Sequence, residues 1–144
     1  MKIKFLVILF FISFLTTSQT IKCTHNLNKY VGYFLNESAK RGVDGFKILS
    51  NIKVLIAYDI EYPKLLGYYR NNELFLNDDI LENEIKSKIV FLHEIGHAVG
   101  LKHSCVDCLE IMSVYYDVKK EREYKKNLKR MLDVYFRKIK KHTK

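Results

Sequence analysis

Three histidines and a glutamate lie within one short segment, HEIGHAVGLKH. His93 and His97 are four residues apart, so on a helix they lie one turn apart and can share one metal ion. Glu94 projects sideways from that pair and can take a proton from a metal-bound water. At Gly100 the chain can leave the helix through a backbone conformation that is costly for other residues. The chain can then turn back and bring His103 to the same ion as a third ligand. Three neutral nitrogens leave one tetrahedral position open for water, which predicts a catalytic rather than a structural zinc.

The complete pattern resembles a known group of enzymes. The motif HExxHxxGxxH, which begins at His93 and is followed by Met112, is similar to that of the metzincin clan of zinc endopeptidases. Ser104 stands directly after the third histidine, as it does in matrixins and serralysins. The segment CLEIMS, residues 108–113, is similar to the small snapalysin-like secreted peptidases, although their third ligand is usually Asp. The strict resemblance covers about Ile85 to Tyr116.

The resemblance implies a fold, a cofactor and a reaction. The fold is α+β and zincin-like, with a small twisted mixed sheet, an active-site helix, a methionine turn and a C-terminal helix. The cofactor is Zn²⁺, bound by His93, His97 and His103, with Met112 in the turn beneath the site. The function is that of a secreted endopeptidase that hydrolyses peptide bonds of a peptide or protein substrate through a zinc-bound water, with Glu94 as general base.

An alternative function uses the same metal site without efficient catalysis. The chain would then be a zinc-binding secreted effector, or a module that binds a membrane surface or a partner, with little proteolytic activity. Glu94 is intact, and a pure binding module would not require it, so this residue favours the enzyme.

The sequence also departs from the metzincin pattern. Some clan members carry a tyrosine two residues after the methionine, able to bind zinc or the transition state, and this chain has Val114 there. Tyr115 and Tyr116 follow out of register, so neither is assigned a catalytic role. The chain shows no recognisable propeptide and no cysteine-switch motif.

The first eighteen residues have the pattern of a secretory signal peptide. Lys2 and Lys4 precede an apolar run that ends at Leu15, and small polar residues follow up to Ser18. Cleavage before Gln19 would leave residues 19–144 as one minimal catalytic domain in a periplasmic or extracellular location. An uncleaved membrane anchor is the alternative, but the run is short against the roughly 20 apolar residues that a span needs.

The chain has three cysteines, at positions 23, 105 and 108. An exported chain meets an oxidising compartment, so one disulfide and one remaining thiol are expected. A Cys105–Cys108 disulfide would tighten the loop between His103 and Met112 and leave Cys23 free. The alternatives are a Cys23 pairing with either of the other two, and a cysteine thiolate that competes for the zinc.

Periodicity and turn residues predict the elements before the metal motif. Apolar spacing predicts a helix over 27–40, ended by Gly42 and Gly45, and then a buried strand over 51–60, ended by Pro63. Residues 66–77 read as two short strands around an Asn71–Asn72 turn. We expect the part near 73–77 to be a sheet edge and Tyr69 to Leu76 to form the rim that pairs with a substrate strand. Asp79 and Glu82 resemble a capping box, which predicts a helix from there to about Val99.

The C-terminal segment predicts an amphipathic helix with a basic outer surface. Its apolar residues recur at helical spacing and form one face: Tyr124, Leu128, Met131, Leu132, Tyr135 and Ile139. Residues 119–144 contain twelve Lys or Arg against three acids, within a chain of formal net charge +9. This surface is either a solvated face or a contact to an anionic membrane. No base-reading motif is present, so nucleic acid is not an expected partner, and the chain is expected to be a monomer.

Overall fold

The computed structural model of the chain describes residues 22–23, 27–58, 65–106 and 108–143. The elements are β1 (Lys22–Cys23), α1 (Asn28–Lys40), α2 (Gly45–Ser50), β2 (Val54–Tyr58), β3 (Gly67–Arg70), β4 (Glu73–Asn77), α3 (Glu84–Ala98) and α4 (Glu121–His142). Helices pack on one mixed sheet, so the α+β class predicted from the sequence is confirmed. The expected signal peptide and its cleavage point at Gln19 lie outside the described residues.

The sheet has four strands in the order β1-β2-β4-β3. Strands β1, β2 and β4 are parallel, whereas β3 pairs antiparallel with β4. Asn71 and Asn72 connect β3 to β4 with φ values of 54° and 64°. Positive φ at both positions of a two-residue loop matches the right-handed twist of the strands, and asparagine tolerates it better than most residues. The predicted hairpin is therefore confirmed.

The expected sheet edge at 73–77 is wrong. Strand β4 is paired on both sides, with β2 and with β3, so its backbone is not available to a further strand. The edge is β3, residues 67–70, which pairs only with β4 within the described residues. Polar residues along the hairpin indicated exposure correctly, but they could not show which of the two strands is the outer one.

Helix α3 lies at the centre of the molecule. It packs on β3 and β4, and α1 and α4 pack on its other sides. Ring contacts join the helices, with centroids 5.9 Å apart for Tyr30 and Phe91 and 5.8 Å apart for Phe34 and Phe136. A helix held on several sides positions its side chains rigidly, which a catalytic site on it requires.

The start of α3 differs from the prediction. Asp79 and Glu82 do not form its capping box, because the Asn77 side chain caps a separate 3₁₀ turn over Asp78–Ile80. Helix α3 begins later, where Asn83 Oδ1 accepts the Lys86 backbone N–H at 2.9 Å. The side chain of Asn77 therefore caps the 3₁₀ turn, and the side chain of Asn83 caps α3, which is the longer and more buried element.

The first helix also ends differently. Helix α1 stops at Lys40, and Gly42 makes the turn with φ of 62°. Gly45 does not end α1 but opens α2, whose N-cap Asp44 accepts the Lys47 backbone N–H at 3.0 Å. A helix of six residues is too short for apolar periodicity to reveal it. The predicted strand over 51–60 is present as β2, and Pro63 lies outside the described residues.

Helix α4 follows the prediction. It runs over 22 residues and buries the predicted apolar face, with Leu128 partly buried and Phe136 added to the set. Its buried face packs on α3, where Tyr135 donates its hydroxyl hydrogen bond to the Leu92 carbonyl at 2.6 Å. In the described part of the chain, none of the helices is both long enough and apolar enough to span a bilayer.

Candidate metal centre and catalytic cleft

Helix α3 presents two histidines to the cleft, and the turn after it presents the third. His93 and His97 lie one turn apart near the C-terminal end of α3. Gly100 has φ of 87°, a conformation that favours glycine, and it reverses the chain. The Gly100 N–H then bonds to the His97 carbonyl at 3.0 Å, and the Leu101 N–H bonds to the Gly96 carbonyl at 2.9 Å. This closed turn returns His103 to the face that carries the other two.

The three Nε2 atoms converge on one point. The Nε2–Nε2 distances are 3.0 Å for His93 and His97, 3.1 Å for His93 and His103, and 3.1 Å for His97 and His103. A tetrahedral zinc with nitrogens at about 2.0–2.1 Å would separate its ligands by about 3.3–3.4 Å. The spacing therefore fits zinc after an adjustment of a few tenths of an ångström, a small movement for three side chains.

Hydrogen bonds on the far side of two rings fix which nitrogens face this point. His93 Nδ1 lies 2.8 Å from the Ile111 carbonyl, and His97 Nδ1 lies 3.0 Å from the Leu101 carbonyl. A carbonyl only accepts, so each Nδ1 carries the proton and each Nε2 presents a lone pair. Lone pairs at 3.0 Å repel each other unless they share a cation. The donor set therefore fits a metal ion.

Burial keeps these imidazoles neutral. Burial lowers the pKa of His93 to about 4, an effect that the Ile111 hydrogen bond opposes and the neighbouring histidines reinforce. Burial also lowers the pKa of His97, against the opposing hydrogen bond to Leu101. Neutral imidazole is the form that ligates a metal, so the pocket holds the two helix ligands ready at physiological pH.

Glu94 lies beside the triad without belonging to it. Its carboxyl is buried, and burial raises the pKa of Glu94 to about 8, although the hydrogen bond from the Tyr69 backbone N–H acts in the opposite direction. Tyr69 is on the edge strand β3, so Glu94 lies between that strand and α3. A cation held by the histidines would attract the carboxylate and favour its charged form.

Met112 packs directly beneath the metal-binding helix. A Cβ added to Gly96 would overlap Met112 Sδ and lie 3.1 Å from Met112 Cε and 3.3 Å from Tyr135 Cε2. Met112 is 2% exposed, so it has little room to move away. Gly96 is therefore the position at which the methionine turn and α4 both approach α3. It was not predicted as functional, although a glycine inside a helix commonly has a packing reason.

The loop between His103 and Met112 is cross-linked. Cys105 and Cys108 form a disulfide with a Cα–Cα distance of 6.0 Å, as expected from the sequence. The Ser104 N–H donates to the Met112 carbonyl at 3.0 Å, and the Val114 N–H donates to the Cys105 carbonyl at 3.0 Å. These bonds fix the path of the chain from the third histidine to the methionine.

The metal point opens into a cleft of about 590 Å³. One wall is the edge strand β3 with residues 65–66 before it, and the opposite wall is the segment after the methionine turn, residues 113–116.

Val114 and Tyr115 are exposed, whereas Tyr116 stacks on Tyr124 with ring centroids 4.7 Å apart. The Tyr116 hydroxyl is buried and has no hydrogen-bond partner among the residues that the structure describes. Burial, with smaller contributions from Glu121 and Tyr124, raises the pKa of Tyr116 well above its usual value.

These features define a zinc peptidase of the metzincin type, with the three histidines available to one ion. The family model for matrixin matches residues 34–134, which is well over half of the chain. The chain belongs to the matrixin family and is a metalloendopeptidase domain with zinc as its cofactor. No curated protein matches the chain, and no solved structure matches it.

The structure brings together every residue that the sequence placed at the metal site. His93, His97 and His103 converge, with Glu94 beside them and Met112 below. The orienting carbonyls of Ile111 and Leu101, the Tyr69 N–H and the Tyr135 hydroxyl could not be predicted, because backbone groups and distant contacts leave no pattern in a sequence.

Proposed function

We propose that Glu94 is the general base of this peptidase, acting in a cleft that binds an extended peptide. The observation that carries the proposal is the convergence of three histidine Nε2 atoms in the cleft that also contains the buried carboxyl group of Glu94. Zinc, when bound, acidifies a water molecule and polarises a substrate carbonyl. Glu94 lines the same cleft as the three histidines, and in this proposal it accepts the proton from water and returns it to the leaving amide nitrogen.

The two walls of the cleft support binding of an extended substrate. Strand β3 is an edge strand of the sheet among the described residues and lines the cleft, and we infer that an extended peptide lies along it. The substrate carbonyl would then lie between β3 and the histidines. Met112 supports the floor of this site and Gly100 shapes the turn to His103. Because all these residues come from one chain, a monomer suffices for catalysis.

Substitution of Glu94 separates metal binding from catalysis. Glu94→Gln should retain zinc, measured by elemental analysis, and lose at least about 100-fold in kcat/KM on a mixed peptide library read by mass spectrometry. His103→Ala should instead weaken zinc binding itself. Wild-type turnover by Glu94→Gln would show that another group is the base. Zinc binding without chelator-sensitive cleavage of any peptide would favour the non-catalytic effector function.

We also propose that the domain is exported and begins near Gln19. The support is the lysine-flanked apolar run before Ser18 and the Cys105–Cys108 disulfide, which requires an oxidising compartment. Intact-mass analysis of protein secreted by expressing cells, with and without thiol alkylation, tests both points. A chain that still begins at Met1 would indicate a membrane-anchored enzyme, and three alkylatable cysteines would contradict export to an oxidising space.

A further inference from the structure

The outer face of α4 carries a continuous line of cations. Its members recur at separations of three, four or seven residues, with two adjacent pairs among them, so they share one side of the helix. All seven are exposed, and we call them the basic stripe: Arg122, Lys126, Lys129, Arg130, Arg137, Lys140 and Lys141. At 1.5 Å per residue the stripe is about 28 Å long.

The basic stripe contributes little to the interactions within the fold, although Arg130 attracts Glu110 more weakly than Lys138 does. Two other cations of α4 are paired, Lys125 with Glu121 at 3.1 Å and Lys138 with Glu110 at 2.6 Å. Among residues 27–58, 65–106 and 108–143, no member of the stripe forms an ion pair or donates a side-chain hydrogen bond. The opposite face of α4 already anchors the helix through Tyr135 and its apolar neighbours.

Acidic residues near the basic stripe do not neutralise it. Asp133 lies within the face, but its Oδ1 accepts the Arg41 Nε–H at 2.8 Å, so its charge is already compensated. Glu123 lies at the margin of the face and is the other exposed acid of this surface. Like charges three or four residues apart, such as Lys126 with Lys129 and Arg130, repel each other and destabilise the helix. An external anionic surface would remove that repulsion.

Exposed apolar residues that follow or precede segments near the ends of the stripe indicate what kind of surface it fits. Phe46 of α2 is 74% exposed, and it follows the turn at Gly42, where an added Cβ would lie 3.5 Å from Lys140 Nζ. Val118 is 61% exposed and lies four residues, about one helical turn, before Arg122. A basic helix with exposed apolar groups near it in the sequence or the fold suits the headgroup region of a bilayer, where cations meet anionic lipids and apolar groups enter the acyl boundary.

We propose that the basic stripe docks this peptidase on membranes that contain anionic lipid, with Phe46 inserted at the interface. No member of the stripe lines the catalytic cleft. Docking therefore leaves the cleft accessible and is independent of the proposed role of Glu94. The Glu94→Gln variant should bind membranes as the unaltered protein does.

Co-sedimentation with lipid vesicles tests the proposal. The folded protein should sediment with phosphatidylcholine vesicles that contain phosphatidylserine, and not with vesicles of phosphatidylcholine alone. Binding should be lost at about 1 M salt, where the Debye length is about 3 Å. Lys126→Gln/Lys129→Gln should weaken binding at least ten-fold, because each cation near such a surface contributes about a factor of five. Phe46→Ser should weaken binding and leave its salt dependence unchanged.

The matched control is Lys29→Gln/Lys53→Gln, which removes the same charge from exposed positions outside the stripe. It should change vesicle binding less than two-fold, and circular dichroism should show all variants folded. Equal loss in the control, equal binding to both kinds of vesicle, or no binding to either kind would overturn the proposal. Binding of a DNA oligonucleotide without vesicle binding would also overturn it and identify nucleic acid as the partner.

Discussion

At the scale of single residues, the metal site is defined by which nitrogen each ring presents. The backbone carbonyls of Ile111 and Leu101 accept hydrogen bonds from the Nδ1–H groups of His93 and His97. The Nε2 lone pairs are thereby aimed at each other, an arrangement that is unfavourable without a shared cation. A cation shared by these nitrogens would therefore be stabilised at this point.

Gly96→Ala should destabilise the protein by about 1–3 kcal/mol, because the new methyl group overlaps buried Met112. The matched control is Gly32→Ala in α1, where an added Cβ meets nothing within 4 Å. That change should stabilise the protein by about 0.5–1 kcal/mol, since alanine favours a helix over glycine. Urea unfolding of both variants measures the difference. Equal effects would mean that Met112 can move away from α3.

Tyr116→Phe should leave stability unchanged or raise it by up to about 1 kcal/mol, because it removes a buried hydroxyl that has no partner within the described parts of the chain. Its stacked neighbour provides the contrast. The Tyr124 hydroxyl accepts the Asp117 N–H at 3.2 Å, so Tyr124→Phe should be destabilising. Thermal unfolding of the two variants decides the point. A clear loss of stability in Tyr116→Phe would reveal a partner for its hydroxyl.

At the scale of elements, the position of α3 depends on its first turn. Asn83 caps the helix, and its Nδ2 also donates to Glu121 Oε2 at 2.9 Å, which connects α3 to the start of α4. The Glu37–Arg41–Asp133 chain of ion pairs makes a second connection, between α1 and α4. Both connections stabilise α4 against the remainder of the fold.

Asn83→Ala should lower stability by about 1 kcal/mol through loss of the N-cap. Asn83→Ser keeps an accepting side-chain oxygen without placing a second carboxylate beside Glu121, and it should recover part of that loss. Asp79→Ala, at the cap position that the sequence suggested, should have a smaller effect, because Asp79 caps no helix in the structure. Denaturant unfolding ranks the three variants. A larger loss of stability in Asp79→Ala than in Asn83→Ala would support the capping box predicted from the sequence.

Glu37 gives a pH-dependent contribution to stability. Burial by itself would raise the pKa of Glu37, but hydrogen bonds and charge attraction from Lys40 and Arg41 outweigh it and lower the pKa. The side chains of Glu37 and Arg41 are only 10% and 15% exposed, so solvent screens their 2.6 Å pair weakly. A lowered folded-state pKa stabilises the protein above the unfolded value and loses that stabilisation as the pH falls through the folded value.

Glu37→Gln should therefore be less stable than the unaltered protein by about 1 kcal/mol at neutral pH. The difference should persist down to the ordinary carboxyl pKa of 4.5 and disappear at lower pH. Urea unfolding of both proteins across this range measures it. A difference that stays constant into the acid range would indicate that packing, and not charge, is what Glu37 contributes.

At the scale of the whole molecule, zinc should join parts of the chain that are otherwise held separately. Its ligands come from α3 and from the turn after it, while the cross-linked loop and Met112 close the site from below. Metal that binds only the folded protein stabilises it by mass action.

Removal of zinc by a chelator should lower Tm by roughly 10 °C, since free zinc at about 1,000 times its Kd contributes about 4 kcal/mol. Re-addition of zinc should restore the original Tm. His103→Ala retains two ligands and should show a much smaller chelator effect. Calorimetry with and without chelator measures both proteins. An unchanged Tm in the unaltered protein would mean that zinc contributes nothing to folding.

The sequence determined the features that depend on neighbours along the chain. Helical spacing placed His93, Glu94 and His97 correctly, and it predicted the buried face of α4. The Asn71–Asn72 pair predicted the hairpin, because a two-residue loop requires positive φ. The family motif added His103 and Met112, and the disulfide followed from cysteine spacing and compartment.

Only the tertiary structure decided the features that depend on distant parts of the chain. It made β3 the outer strand and β4 the inner one, and it placed the cap of α3 at Asn83. It also brought Met112 against Gly96 and the carbonyls of Ile111 and Leu101 against the histidine rings. Strand order, competing caps and backbone hydrogen bonds are settled by packing between distant segments. A local pattern records which face of an element is apolar, and not which partner will cover it.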